Sequence, residues 1–182
     1  NYNYLDEYVE KMIWNYAYLN KGLALFYNDK KIQSKKGLFD LLNNSLQENE
    51  SLYPIIHLSA GSFEFAFTHS DKVFTEEHYS FVNGQHTTQG GTHQSAFREA
   101  LVKVLKDFFK KDYDPSDIRS GLVASISLRI NEPVFESQTK TKLGSTNMMP
   151  DGSGQAVRTF ILDAVKSTLD DYLHINAEVA EL

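Results

Sequence analysis

Apolar side chains recur at helical spacing across residues 4–19, at Leu5, Tyr8, Val9, Met12, Ile13 and Tyr16. Asn20 followed by Gly22 marks the end of that helix. "GLALFYN" (22–28) then reads as a strand and "KKGLFDLLNNSL" (35–46) as a short helix. "YPIIHLSA" and "SFEFAFTHS" form two strands joined at Gly61, with Phe63, Phe65 and Phe67 alternating onto one face. "HYSFVNGQ" is a further strand entering a loop. A helix over about 93–111 carries one stripe of Ala96, Phe97, Ala100, Leu101, Val104, Leu105 and Phe108. Gly90 and Gly91 supply a sharp turn into it, and Thr92 stands where an N-cap is expected. "GLVASISLRI" (121–130) is a long β-rich run closed by Pro133. A last helix, about 155–174, aligns Val157, Phe160, Ile161, Ala164, Val165, Leu169, Tyr172 and Leu173.

Adjacent strand pairs with few strand–helix repeats predict an α+β domain of two layers, with helices on one face of the sheet. Of the 182 residues, 41% are hydrophobic and 13% aromatic, enough to bury a core in one sizeable domain. The net charge of −6 argues against a free-standing nucleic-acid module but leaves room for a local basic patch. There is no cysteine, so disulfides and thiolate metal sites are excluded, and a reducing, cytoplasmic setting is expected. No apolar run reaches the roughly 20 residues that span a bilayer, so no membrane partner is expected. The chain begins in helical pattern without an initiator Met and reads as a piece of a longer protein.

Four stretches carry candidate chemistry. In "FESQTKTKLGS" (135–145), Gln138, Lys140 and Lys142 fall at every second position, so an extended chain points all three one way. Two ammonium groups and an amide can meet phosphate oxygens; the same pattern also suits a solvated strand edge, where lysines discourage pairing. "HTTQGGTH" (86–93) places glycines before a helix, either as an anion cradle or as a plain turn; it lacks the Gly-Lys-Ser/Thr of a P-loop. On that helix Arg98, Lys103, Lys106, Lys110 and Lys111 lie off the apolar stripe against Glu99 and Asp107, a face suited to DNA phosphates or simply to solvent. "PDGSG" (150–154) is an anion loop or a connecting turn. The six histidines show no metal-ligand spacing, no nucleophile elbow is present, and Glu132 and Glu136 give no reason to be read as an acid/base pair.

In combination these blocks are more specific. "SFVNGQHTTQGGTHQSAFREAL" followed by "DIRSGLVASISLRINEPVFESQTKTKLGS" resembles the transducer domain of the B subunit of bacterial type IIA DNA topoisomerases, gyrase and topoisomerase IV. The resemblance covers nearly the whole chain and favours a topoisomerase IV-type subunit. It implies a ribosomal-protein-S5-like fold, a mostly four-stranded sheet with a left-handed β-α-β crossover, against the usual hand. It implies a junction helix out of an ATPase domain at 1–20, the transducer at 21–176, and the start of a connection onward at 177–182. Gln138, Thr139 and Lys140 match the family's QTK loop, so the resemblance gives Gln138 and Lys140 roles in catalysis as ligands of the ATP γ-phosphate, with Lys142 in reserve. Arg98 in "FREAL" matches an arginine lining the cavity for the transported DNA, with Lys103 beside it on the same face.

The implied cofactors are ATP and Mg2+, held mainly by an ATPase domain whose Asn helix, Asp-x-Gly-x-Gly turn and Gly-rich lid have no counterpart here. By itself this piece is expected to be inactive. The implied partners are double-stranded DNA, the topoisomerase A subunit and a second B subunit. The chain departs from the family at Gln89, where many relatives are acidic, at Gly84, where they have Asn, and in the longer link "GSTNMMPDGSGQ". Two other readings stay open: a stand-alone S5-like nucleic-acid-binding module, and a small-molecule kinase, for which "PDGSG" is a poor phosphate loop.

Overall fold

The computed structural model describes residues 5–47 and 50–182; the start of the predicted first helix, at residue 4, lies outside them. Helix α1 (Asp6–Leu19) leads into a hairpin of β1 (Ala24–Tyr27) and β2 (Lys30–Gln33). Asn28 and Asp29 both hold positive φ in its two-residue turn, the geometry that matches the twist of paired strands. The sequence pattern shows only one strand in this region and misses β2. Then come α2 (Leu38–Ser45), β3 (Ile56–Ala60), β4 (Phe63–His69), β5 (Glu77–Val82) and the two-residue β6 (Gln85–His86). Helix α3 (Thr92–Phe109), the short α4 (Pro115–Arg119), β7 (Leu122–Leu128), α5 (Val157–Ile175) and α6 (Ala177–Ala180) complete the chain. Both α4 and α6 escape the pattern as well, being too short to show a stripe.

The main sheet has five strands in the order β3-β4-β7-β5-β6, four long ones and the two-residue β6, where mostly four were expected. All neighbours are antiparallel except β5 and β7, which run parallel and are joined by the crossover through α3. On one face Phe63, Phe65, Phe67, Ala124, Ile126 and Leu128 pack against the predicted stripes of α3 and α5. Phe97 sits at the centre of this layer, its ring 5.5 to 6.4 Å from those of Phe63, Phe65 and Phe67.

Two expectations need correction. Helices cover both faces, not one: α2, with Tyr18 of α1, packs on the opposite side against Ala66, Phe81 and Val123. β4 and β7 are therefore buried on both sides, and the residues between their large apolar ones are small enough to permit it, Ala66 and Ser125 among them. The predicted stripe of α1 is also only partly a core stripe. Leu5, Tyr8, Met12 and Tyr16 are exposed, while Tyr18 is buried beside Leu38 and Leu42, with Trp14 packed against that cluster. Among the described residues no helix is long and apolar enough to cross a membrane.

Candidate functional site: a docked loop and a basic groove

The chain after β7 folds back on itself. Gly144 N–H donates to Val134 O at 2.8 Å, Glu136 N–H to Lys142 O at 3.0 Å, and Lys140 N–H to Ser137 O at 3.1 Å. The arms pair at Phe135 and Leu143, and residues 137–140 form the tip. Lys140 takes a left-handed φ of 55°, uncommon for a lysine, so the tip is a turn and not the extended strand expected. The hydroxyls of Ser137, Thr139 and Thr141 gather within 2.8 to 3.4 Å of one another. Gln138 and Lys140 are exposed and, among the described residues, engage no side-chain partner. Lys142 does not join them: its Nζ lies 2.8 Å from Glu136 Oε2, inside the stem.

The stem is seated on the first turn of α3. Leu143, fully buried, bridges Gly91 in parallel. Leu143 N–H donates to Gly90 O, Thr92 N–H to Leu143 O, and Gln89 N–H to Thr141 O, all at 2.8 to 3.1 Å. The two sequence candidates "QGGT" and "QTK" are thus one structure. The glycines serve this docking, and the amides of Gln89, Gly90 and Thr92 are already taken by backbone carbonyls. Thr92 is not the N-cap; Gly91 is, and Thr92 Oγ1 donates instead to Ser145 O at 2.6 Å. "PDGSG" is likewise self-satisfied, with Ser153 N–H donating to Asp151 Oδ1 at 2.9 Å, as a connecting turn requires.

Below the docked stem His93 is fully buried. Thr87 Oγ1 gives its proton to Ser80 O, so it accepts from His93 Nε2–H at 3.1 Å. His93 Nδ1 then faces no partner among the described residues, and burial pushes the pKa down to about 4. The ring is neutral at pH 7.

One and a half turns along α3, Arg98 makes a two-pronged contact with Glu76, Nε to Oε1 at 3.0 Å and Nη2 to Oε2 at 2.6 Å. Arg119, on α4, stands 3.9 Å from the same carboxylate, and His78 Nε2 3.6 Å away. Partial burial raises the Glu76 pKa, but the Arg98 hydrogen bonds and charge, with His78 and Arg119, outweigh it and hold it below the usual glutamate value. A groove of about 420 Å³ opens here, lined by Arg98, Lys103, Lys106, Arg119, Glu99 and Asp107. Lys103 is exposed, whereas Lys106 pairs with Asp112 at 2.8 Å and Glu99 with Arg158. The sequence sets only Glu99 and Asp107 against this basic face; the structure adds Glu76, which holds Arg98. Arg119 leaves little trace in the sequence beyond being a basic residue that ends a Pro-initiated turn of helix.

Chemically, the loop offers an amide and an ammonium group free to meet phosphate oxygens beyond this chain, and the groove offers guanidinium groups and Lys103 for a polyanion. A protein-family model described as DNA gyrase B matches residues 4–182. The chain is 48% identical over 144 residues to the B subunit of DNA topoisomerase 4 from Borreliella burgdorferi, covering 79% of this chain and 24% of that protein. It is 30% identical over 187 residues to the B subunit of DNA gyrase from Clostridium acetobutylicum, covering 91% and 28%. The chain thus spans about a quarter of the length of these curated relatives. In fold it is similar to the 43K ATPase domain of Thermus thermophilus gyrase B, solved with an aminocoumarin, with a TM-score of 0.73 at 22% identity, over 99% of this chain and 51% of that one. With the family model matched from residue 4 to the last residue, the chain belongs to the DNA gyrase B family, the B subunits of type IIA topoisomerases.

Proposed function

We propose that this chain is the transducer domain of an ATP-dependent type II topoisomerase B subunit, of the topoisomerase IV type, with the S5-like fold and its left-handed crossover. It works inside a longer subunit, with α1 as the junction to a GHKL ATPase domain, and alongside an A subunit, a second B subunit and duplex DNA. ATP and Mg2+ are held mainly by the ATPase domain. The observation that carries this reading is the exposed Gln138–Lys140 tip on a stem pinned to α3. The greater identity to a topoisomerase IV subunit than to a gyrase subunit supports the finer assignment. The exposed apolar side of α1, Leu5, Tyr8, Met12 and Tyr16, supports a neighbour on that face.

In this mechanism Gln138 and Lys140 reach the γ-phosphate bound next door and lock the two domains together. Lys140 also stabilises charge developing on the transferred phosphoryl group. Hydrogen bonds to charged groups contribute about 1.5–3 kcal/mol each, so two give about 3–6. Moving a two-state equilibrium from 1:99 to 99:1 needs about 5.5 kcal/mol, so the loop supplies much of the bias and ATP-dependent dimerisation the remainder. Loss of phosphate releases the lock, and the docked stem carries the change to α3 and its groove. The direct test is ATP turnover of the full-length subunit with Lys140→Ala; a rate near that of the unaltered subunit removes the phosphate-sensing role.

A further inference from the structure

At the edge of the α3 groove, Arg98 and Arg119 also line an adjoining pocket of about 280 Å³, and there they meet the carboxylate of Glu76. Glu76 receives both prongs of the Arg98 fork, and Arg119 approaches from a second element, so two guanidinium groups converge on one pair of oxygens. A bidentate fork of this kind fits a carboxylate and a phosphate diester equally well. The charges also match: two arginines and one carboxylate leave the same sum as two arginines and one backbone phosphate. None of the three is sealed away, their side chains being 33%, 34% and 21% exposed for Arg98, Arg119 and Glu76. Lys103 continues the basic edge along the groove.

We propose that Arg98 and Arg119 form a single backbone-phosphate site for duplex DNA, and that Glu76 occupies it as an internal stand-in until DNA displaces it. This rests on the reading of the α3 groove as DNA-facing and adds to it a second ligand residue and a built-in competitor. Exchange of one anion for another among the same donors is close to neutral in itself. Net binding then comes from counterions released by the DNA. The stand-in keeps the groove from holding DNA too firmly and spares the arginines an unpaired state when it is empty.

The test uses the full-length subunit and a short fluorescent duplex, with affinity read by anisotropy across a salt series. Glu76→Gln frees both arginines and removes a negative charge, so affinity is expected to rise roughly three- to ten-fold and the log–log salt slope to steepen by up to about one. Arg119→Gln is expected to weaken binding in the same direction as Arg98→Gln, and the Glu76→Gln gain to shrink when combined with Arg119→Gln and to vanish when both arginines are replaced. Arg119→Lys, which keeps the charge, is expected to recover part of the loss and guards against a packing defect. If Arg98→Gln weakens binding while Glu76→Gln and Arg119→Gln leave it unchanged, the stand-in inference fails and the DNA groove survives. If none of the three moves affinity or slope, the groove reading fails with it.

Discussion

Gly91 and Leu143 touch through their backbones so closely that a Cβ on Gly91 would lie 2.4 Å from Leu143 O and 2.5 Å from Leu143 N. The φ of 131° at Gly91 is itself one that side-chain-bearing residues rarely adopt. Both facts arise because the loop stem is laid across the first turn of α3. The obstacle is backbone, which cannot swing aside as a side chain does.

Gly91→Ala must therefore either strain α3 or lift the stem off it. We expect a loss of about 2 kcal/mol or more, which lowers the melting temperature by roughly 4–8 °C in a domain of this size. Gly90→Ala is the comparison, because a Cβ there meets only the end of Gln94, and it is expected to cost less. Equal losses would show that the Leu143 contact is not what Gly91 serves.

Lys140 and Lys142 should part company. Lys140 is exposed at the tip without a side-chain partner among the described residues, while Lys142 spends its charge on Glu136 at 2.8 Å. Lys140→Ala in the full-length subunit is expected to cut ATP turnover ten-fold or more, at least about 1.4 kcal/mol of barrier, with no fall in melting temperature. Lys142→Ala is expected to cost turnover less, since it first loses an exposed ion pair of about 0–1 kcal/mol. Comparable rate losses in both would widen the site to include Lys142.

The stripes of α3 and α5 and the triple-Phe strand were legible in the sequence, because one apolar face leaves a fixed period. Ala66, Ser125 and Val123 were not, because a second buried face built from small residues leaves no alternation to read. The alternation of Gln138, Lys140 and Lys142 misled, because a left-handed Lys140 turns the tip. Glu76 holding Arg98 across 22 positions left no local trace at all, nor did the pairing of Gln89–Thr92 with residues 141–145.

Phe97 closes the core between α3 and the sheet, fully buried and within 6.4 Å, ring to ring, of three other phenylalanines. Phe97→Ala removes that ring from a layer held by β4 on one side and α5 beyond. The expected cost is about 3–5 kcal/mol, a drop in melting temperature on the order of 10 °C. Phe97→Leu, which fills most of the volume, is expected to lose less than half of that. A small loss for the alanine variant would place the core's centre elsewhere.

His93 makes the protein sensitive to mild acid. Its folded pKa is pushed from the usual 6.5 down to about 4 by burial, so the folded state resists a proton that the unfolded state accepts. The stability it contributes is therefore complete above pH 6.5, declines as pH falls from 6.5 toward 4, and changes no further below that. The gap corresponds to about 3 kcal/mol in all and about 2 kcal/mol by pH 5. Glu76 and Glu64, both held below the usual glutamate value, act in the same direction but only below about pH 4.5, so the two windows overlap only at the acid end of the His93 one. His69, His78 and His86 are also lowered, chiefly by burial, and add to the upper window. Melting temperatures at pH 7 and pH 5 should thus differ by several degrees in the unaltered protein. In His93→Leu, whatever its stability at pH 7, the difference between the two pH values should shrink by roughly half or more. An undiminished difference would mean that the ring under the docked loop takes up its proton without cost, and that the burial of His93 does not persist in solution.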